Sequence, residues 1–399
     1  MHISPSIAAF DKDVLWQPSL YSREELIAAV DFWLSPADLQ LQATVFSAYA
    51  AEFGTAAGRL DEYEIANHGG YPLFADILPA ASRVKSVVVQ WVRHLESCLE
   101  GVNVELNRVA VEAQNADLMA SAEMDRVDPG LYQTTHLSEM NDLAQRRLGH
   151  EGHVAPESDR VSDGLVERVT RGTSFYLDPG LPSPELNDLP AMLIPGDALD
   201  VGFYLGVALE ETGQAGLLEE LMKVFGGPWG DLRHFCQMVA TENGGGAVGL
   251  SSAAHDAIRA TAARVAVHWQ GFSANSAQEY FVDLLSAMYS GSREIQAATR
   301  RFTQLIDQIA DIAQQTRDLL LSIAAEGAIL FAEKNLFGNK KKISPAHWLL
   351  LLKIGMDVRD IYSKIEMARD LVEAAKSNLQ VIELEKFVSS FPVPAMKGA

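Results

Sequence analysis

Cysteine is almost absent from this chain. Cys98 and Cys236 are the only two among 399 residues. That rules out a disulfide framework, a zinc cluster or a Cys-x-x-Cys redox pair, each of which needs more thiols or closer spacing. Each cysteine falls in a helical apolar pattern and reads as a small buried side chain, with a single disulfide between them as the alternative. Cationic residues are scarce too. Lys and Arg total 32 against 53 Asp and Glu, a net charge of −21 and a pI of about 4.8. A generally basic surface for nucleic acid is therefore excluded, and the only dense basic run is Lys340-Lys341-Lys342. Long apolar runs are missing as well. Stretches such as Trp348 to Leu352 fall far short of the roughly 20 residues that span a bilayer. The first residues, MHISPSIAAFDKD, contain no basic region followed by an apolar core, so no Sec-type signal peptide is read there. The expectation is a soluble chain made in the cytoplasm, one that needs a route accepting folded helical cargo if it leaves the cell.

The motifs of common enzymes are wanting. There is no Gly-x-Ser-x-Gly elbow, P-loop or His-Glu-x-x-His. Gly244, Gly246 and Gly249 fit Gly-x-Gly-x-x-Gly, but no β-rich strand precedes them and no βαβ pattern follows, so they read as a break between helices. His150 and His153 lie three apart in a loop-like stretch without the third ligand that zinc requires. Acid pairs such as Glu210/Glu211 and Glu219/Glu220 read as solvated helix charges. His94, His234 and His268 read as packing or polar contacts. The sequence calls for no catalytic residue, no metal and no cofactor, and the expectation is a protein that is not an enzyme.

What the chain has in abundance is helical periodicity. Apolar residues recur at three-four spacing in four segments. The first runs Leu39, Ala43, Phe46, Ala50, Phe53, Ala57, Leu60. The second runs Val84, Val88, Trp91, Leu95, Cys98, Val102, then Leu106 and Val109 after a slip. The third runs from Phe281 through Leu284, Met288, Ile295, Ala298, Phe302, Leu305, Ile309 and Ile312 to Leu319, Ile323 and Leu330, with Thr316 and Glu326 interrupting. The fourth runs from Leu351 through Ile354, Val358, Ile361, Ile365, Ala368, Val372 and Ala375 to Leu379 and Ile382. Repeats near 3.5 residues are the pattern of coiled-coil packing, and no comparable strand alternation occurs. The fold class is therefore all-α, built of elongated helical hairpins. The third helix, from Ser273 to about Lys334, would run about 90 Å.

Proline and glycine fall mostly between these segments, as helix punctuation should. Ser35-Pro36 opens the first, His68-Gly69-Gly70 and Pro72 separate the first two, and Gly338 to Pro345 separates the last two. The expected organisation is an N-terminal helical hairpin over 1–125, an irregular Pro/Gly-punctuated connector over 126–198, and a C-terminal bundle over 199–399. That bundle holds a hairpin over about 250–335 and a further long helix over about 344–385. The Gly-rich stretch Asn243 to Gly249 is expected as a break before a helix from Ser252 to His268.

Between the two C-terminal hairpin helices stands Trp269-Gln270-Gly271. An indole can cover the open end of a helix pair, and glycine permits the sharp reversal. Ser273, Ala274, Ala277 and Phe281 then open the following helix. With this cadence, the stretch over about 250–335 resembles the small Trp-x-Gly (WXG) secreted proteins of the type VII (ESX) secretion system. More weakly, the N-terminal hairpin resembles another ESX-associated substrate family, through Ser35-Pro36-Ala37-Asp38-Leu39 and Leu106-Asn107-Arg108-Val109-Ala110. That family continues with Tyr-x-x-x-Asp, and here Asp117 is present while Ala113 stands where the Tyr would be.

The resemblance implies a bipartite export signal, the Trp-x-Gly turn paired with Tyr-x-x-x-Asp/Glu on a neighbouring helix. Two stretches fit the second half: Tyr21 with Glu25, and Tyr362 with Glu366. The latter pair lies in the C-terminal bundle and is preferred. At i, i+4 both side chains share one face, off the Ile361/Ile365 seam. The implied site is Trp269, Gly271, Tyr362 and Glu366.

The implied function is a non-enzymatic type VII secretion substrate or secreted structural or effector protein, virulence-associated in class, acting through protein–protein binding. Its partners would be the secretion machinery or a helical protein, with a homo-oligomer open, and the two hairpins in one chain could replace a separate partner. One alternative is an α-helical pore-forming or membrane-acting toxin. Its apolar head would be Ala325 to Phe331 with Leu336-Phe337, or Trp348 to Leu352, flanking Lys340 to Lys342. The other alternative is a cytoplasmic helical scaffold with no export at all.

Overall fold

A computed structural model describes residues 36–65, 70–127, 199–241, 245–268, 272–337 and 345–380, together with Leu186, Leu189 and Leu193. Among these all regular structure is helical and no strand occurs. The helices are α1 (Pro36–Glu62), α2 (Pro72–Val127), α3 (Leu199–Glu211), α4 (Leu217–Phe225), α5 (Trp229–Val239), α6 (Gly246–His268), α7 (Phe272–Phe337) and α8 (Pro345–Gln380).

The spine is α7. Its 66 residues would span about 99 Å at 1.5 Å per residue, and α2, α3, α5, α6 and α8 all pack against it. Trp91 of α2 meets Gly291, where a Cβ would fall 2.4 Å from the indole nitrogen. Farther along α2, the Cys98 thiol accepts a hydrogen bond from the Tyr280 hydroxyl. The two helices therefore run antiparallel. Phe46 of α1 stacks on Phe281 with centroids 5.7 Å apart, and the Ser292 hydroxyl donates to Ser251 of α6 at 2.9 Å. The N-terminal half of α7 is thus wrapped by α1, α2 and α6. Its C-terminal half carries α3 and α8. There α8 runs antiparallel: His347 faces Glu333, Lys353 faces Glu326 and Lys364 faces Gln315. One hydrophobic core runs through both halves and includes α1 and α2.

The seams read from the sequence line this core. Leu39, Ala43, Phe46, Ala50, Phe53, Ala57 and Leu60 are all buried, as are Ile354, Val358, Ile361, Ile365, Ala368 and Val372. In α2 the seam passes through Leu106 as read but continues at Ala110 rather than Val109: Leu106 and Ala110 are buried while Val109 is half-buried. Of the two interruptions in α7, Thr316 satisfies its hydroxyl on its own helix, donating to the Ile312 carbonyl at 2.8 Å. Glu326 is buried and ion-paired with Lys353.

Gly291 is not alone among the described residues in setting a close approach. Gly327 of α7 lies under α3, where an added Cβ would fall 2.1 Å from the Tyr204 carbonyl oxygen. Gly227, between α4 and α5, has φ +133° and lies against Phe74, and only glycine takes that backbone without strain.

The Gly-rich break is shorter than the sequence suggests. α6 begins at Gly246 rather than Ser252, so Gly249 is helical. The cause is burial: Ala247, Leu250 and Ala254 pack on one face, and the gain offsets the poor propensity of the glycines. Gly246 itself takes φ +72°. Nearly all of the expected connector over 126–198 lies outside the described residues. Of it, Leu186, Leu189 and Leu193 are buried in the core.

Candidate functional site

The end of the bundle where α6 stops and α7 starts is built by four helices. Arg264, four residues before the end of α6, meets Asp38 in the first turn of α1. Its Nη2 and Nε donate to Asp38 Oδ1 at 2.9 and 3.1 Å, with side-chain exposures of only 14% and 11%. A carboxylate in the first helical turn also faces the positive end of the helix dipole. This charge-assisted pair ties the start of α1 to α6, and the Phe46–Phe281 stack ties α1 to α7. The fourth helix is α2. Leu106 to Ala110 lie about 12 Å beyond the Cys98–Tyr280 contact, level with the start of α7.

Trp269, Gln270 and Gly271 lie outside the described residues, as do His150, His153, Tyr21, Lys340 to Lys342 and Gly244. The two helices that flank the Trp-x-Gly stretch are described. They end at His268 and begin at Phe272, with three residues of sequence between, and they pack against each other.

Tyr362 and Glu366 are on the exposed side of α8, with Ile361 and Ile365 buried beneath them. The Tyr362 hydroxyl donates to Gln214 Oε1 at 3.3 Å, in the turn between α3 and α4. The pair does not lie near the α6–α7 end. Lys364 faces Gln315, so Tyr362 stands level with a point about 45 residues into α7, about 65 Å along that helix from Phe272. Of the expected surface combining Trp269 and Gly271 with Tyr362 and Glu366, only the second part lies among the described residues, on α8 along the far half of α7.

No family model, curated protein or solved structure matches this chain.

Among the described residues no group of His, Cys, Asp and Glu could hold a metal ion, and no helix is long and apolar enough to cross a membrane. Of the two apolar heads considered, the α7 stretch is mixed: Leu330 is buried and Ile329 is half exposed. The α8 stretch is outward, with Trp348, Leu349 and Leu352 exposed.

Neither cysteine has the setting of a reactive thiol. Both are free and buried. Burial pushes the Cys98 thiol up to about 11, against a hydrogen bond with Tyr280, and pushes Cys236 up to about 12. The unfolded Cys236 thiol loses its proton near 9. Its contribution to stability is therefore complete below about pH 9 and is lost as pH rises towards about 12. Tyr63 and Tyr280 are also raised by burial and act in the same direction. The expected outcome is an unfolding midpoint in urea that falls steadily above pH 9. Native protein should label with iodoacetamide far more slowly than unfolded protein. Rapid native labelling of both thiols would contradict the buried placement.

The sequence reading did not find the Asp38–Arg264 pair or the close approaches at Gly291 and Gly327. No sequence signal marks a pair 226 residues apart. A glycine within a long helix marks only that something comes close.

Proposed function

We propose that this protein is a non-enzymatic substrate or secreted structural component of a type VII-like secretion pathway, acting through protein–protein binding. The observation that carries the reading is Trp269-Gln270-Gly271 in the sequence between α6 and α7, two helices that pack together with Ser251 against Ser292. Support comes also from the small-residue opening of α7 and from the Leu106-Asn107-Arg108-Val109-Ala110 stretch of α2 at the same end. In this reading α1 and α2 flank the turn inside one chain, where a separate helical partner would otherwise be needed. Tyr362 and Glu366 form a second recognition surface, apart from the first.

The test is the amount of protein in culture filtrate, with and without the motor ATPase of the pathway, for the wild type, Trp269→Ala and Tyr362→Ala. Export that needs the motor and is lost in Trp269→Ala supports the reading. Loss in Tyr362→Ala at an unchanged melting temperature assigns the second surface. A protein that stays inside the cell in all strains would overturn the proposal in favour of a scaffold.

A further inference from the structure

A cleft of about 880 Å³ opens between the first turns of α6 and the stretch of α7 from Met288 to Arg300. That volume lies within the range of small-molecule pockets. Tyr289, Arg293, Gln296 and Arg300 recur at three-four spacing, so they share one face of α7 and form one wall. The apolar seam of the same helix, Ile295, Ala298 and Phe302, is turned away into the core. Thr241, Ser251, Ser252 and the turn at Gly245 and Gly249 form the opposite wall.

The cations of this cleft are unanswered. Arg93, Arg233, Arg264 and Arg369 each face a carboxylate. Arg293 and Arg300 have neither an ion pair nor a hydrogen bond among the described residues, in a chain of net charge −21. The one carboxylate lining the cleft with them, Asp256, has its side chain 78% exposed and lies 3.5 Å from His255. A further donor is held at the floor. Ser251 is 1% exposed and accepts from the Ser292 hydroxyl at 2.9 Å. Two hydroxyls that share one bond leave one proton over, whichever way the bond runs. A buried donor without an acceptor costs free energy that a bound acceptor recovers. Guanidiniums match phosphoryl oxygens in charge and in fork geometry. Arg293 and Arg300 stand two turns apart, about 10 Å along α7, a spacing that suits linked phosphoryl groups better than one small carboxylate. Tyr289, 62% exposed and one turn before Arg293, sets an aromatic ring on the same wall.

We propose that the α6–α7 cleft binds an organic diphosphate that carries an aromatic ring, a nucleoside diphosphate in chemical class. Arg293 and Arg300 take the phosphoryl oxygens, Ser251 donates from the floor, and Tyr289 seats the ring. The site goes beyond the export reading and stands without it. It lies about 24 to 42 Å along α7 from Phe272 and contains neither Trp269 nor Tyr362.

The experiment is calorimetric titration of the purified full chain with ADP, pyrophosphate and citrate. ADP is expected to bind, pyrophosphate more weakly, and citrate more weakly still. Arg293→Gln/Arg300→Gln should weaken ADP binding on the order of tenfold or more, and Tyr289→Ala should bring ADP to the affinity of pyrophosphate. Arg359→Gln removes an exposed arginine of α8 that does not line the cleft, and it should leave binding unchanged. All four side chains are exposed, so helical circular dichroism and melting temperature should match the wild type in every variant. Failure of the wild type to bind either ADP or pyrophosphate at millimolar concentration overturns the proposal. Binding that survives the double substitution, or falls equally in Arg359→Gln, overturns it as well. ADP no tighter than pyrophosphate would strike the ring from the ligand class. Citrate as tight as pyrophosphate would replace the phosphate with a carboxylate.

Discussion

Trp229→Ala is expected to cost about 3–5 kcal/mol, the range for removing a large aromatic from a well-packed core. Trp229 is fully buried at the start of α5, just past the Gly226-Gly227-Pro228 elbow. Its ring meets Phe74 of α2 edge-on with centroids 5.0 Å apart, and its Nε1 donates to the Phe225 carbonyl at 3.2 Å. Substitution therefore removes an aromatic pair, strips the end of α4 of a donor and opens a cavity. Collapse into that cavity is blocked, because Gly227 already lies against Phe74 and its φ of +133° holds the elbow in place. A loss of this size is a large share of the 5–15 kcal/mol that holds a typical protein folded. Urea titration should show a lower midpoint, and Trp229→Phe should recover part of it by retaining the ring contact. A change under about 1 kcal/mol for Trp229→Ala would show that this junction contributes little to the cooperative core.

Much of the fold is legible in the sequence because long helices write their periodicity plainly. The expected span from Ser273 to about Lys334 is close to the observed Phe272–Phe337. Pro36 opens α1 as read, and the last helix, read over about 344–385, is described from Pro345 to Gln380, with 381–385 outside the described residues. The short helices α3, α4 and α5 were legible only as part of a bundle, since 9 to 13 residues give too few turns to fix a period. The choice of neighbours was not legible at all. A heptad seam states that a face is buried and leaves open against what. The seam of α2 meets α1, and α2 also packs on α4, α7 and α8. For the same reason the spacing of Tyr362 and Glu366 correctly placed both off the seam, yet could not say that α8 lies along the far half of α7. The chemistry-bearing pair at the α6–α7 end, Asp38 with Arg264, is a matter of three-dimensional register that neither residue's local pattern reveals.

Glu326 supplies the second large prediction, in which two substitutions at one ion pair have opposite signs. The carboxylate is 4% exposed on the seam between α7 and α8. The Lys353 ammonium reaches it from solvent, and Oε2 has no hydrogen-bond partner among the described residues. The ion pair raises the affinity of Lys353 for its proton, so the cation is kept. Burying a carboxylate costs several kcal/mol, and one half-answered pair does not repay that in full. Glu326→Leu is therefore expected to be neutral or stabilising by about 1–4 kcal/mol, since Ile323 and Leu330 already make that part of the seam apolar. Lys353→Met should be clearly destabilising, because it leaves the buried charge without its partner. The double substitution should return close to Glu326→Leu alone, since the damage in Lys353→Met comes from the stranded carboxylate. The role left for the native pair is register. Among the described residues Glu326 is paired with Lys353, one and a half turns after Trp348, so the pair sets α8 lengthwise on α7. Hydrogen exchange on α8 should then be faster in Glu326→Leu even where global stability rises. Unchanged exchange there would leave the pair as a cost without a structural return.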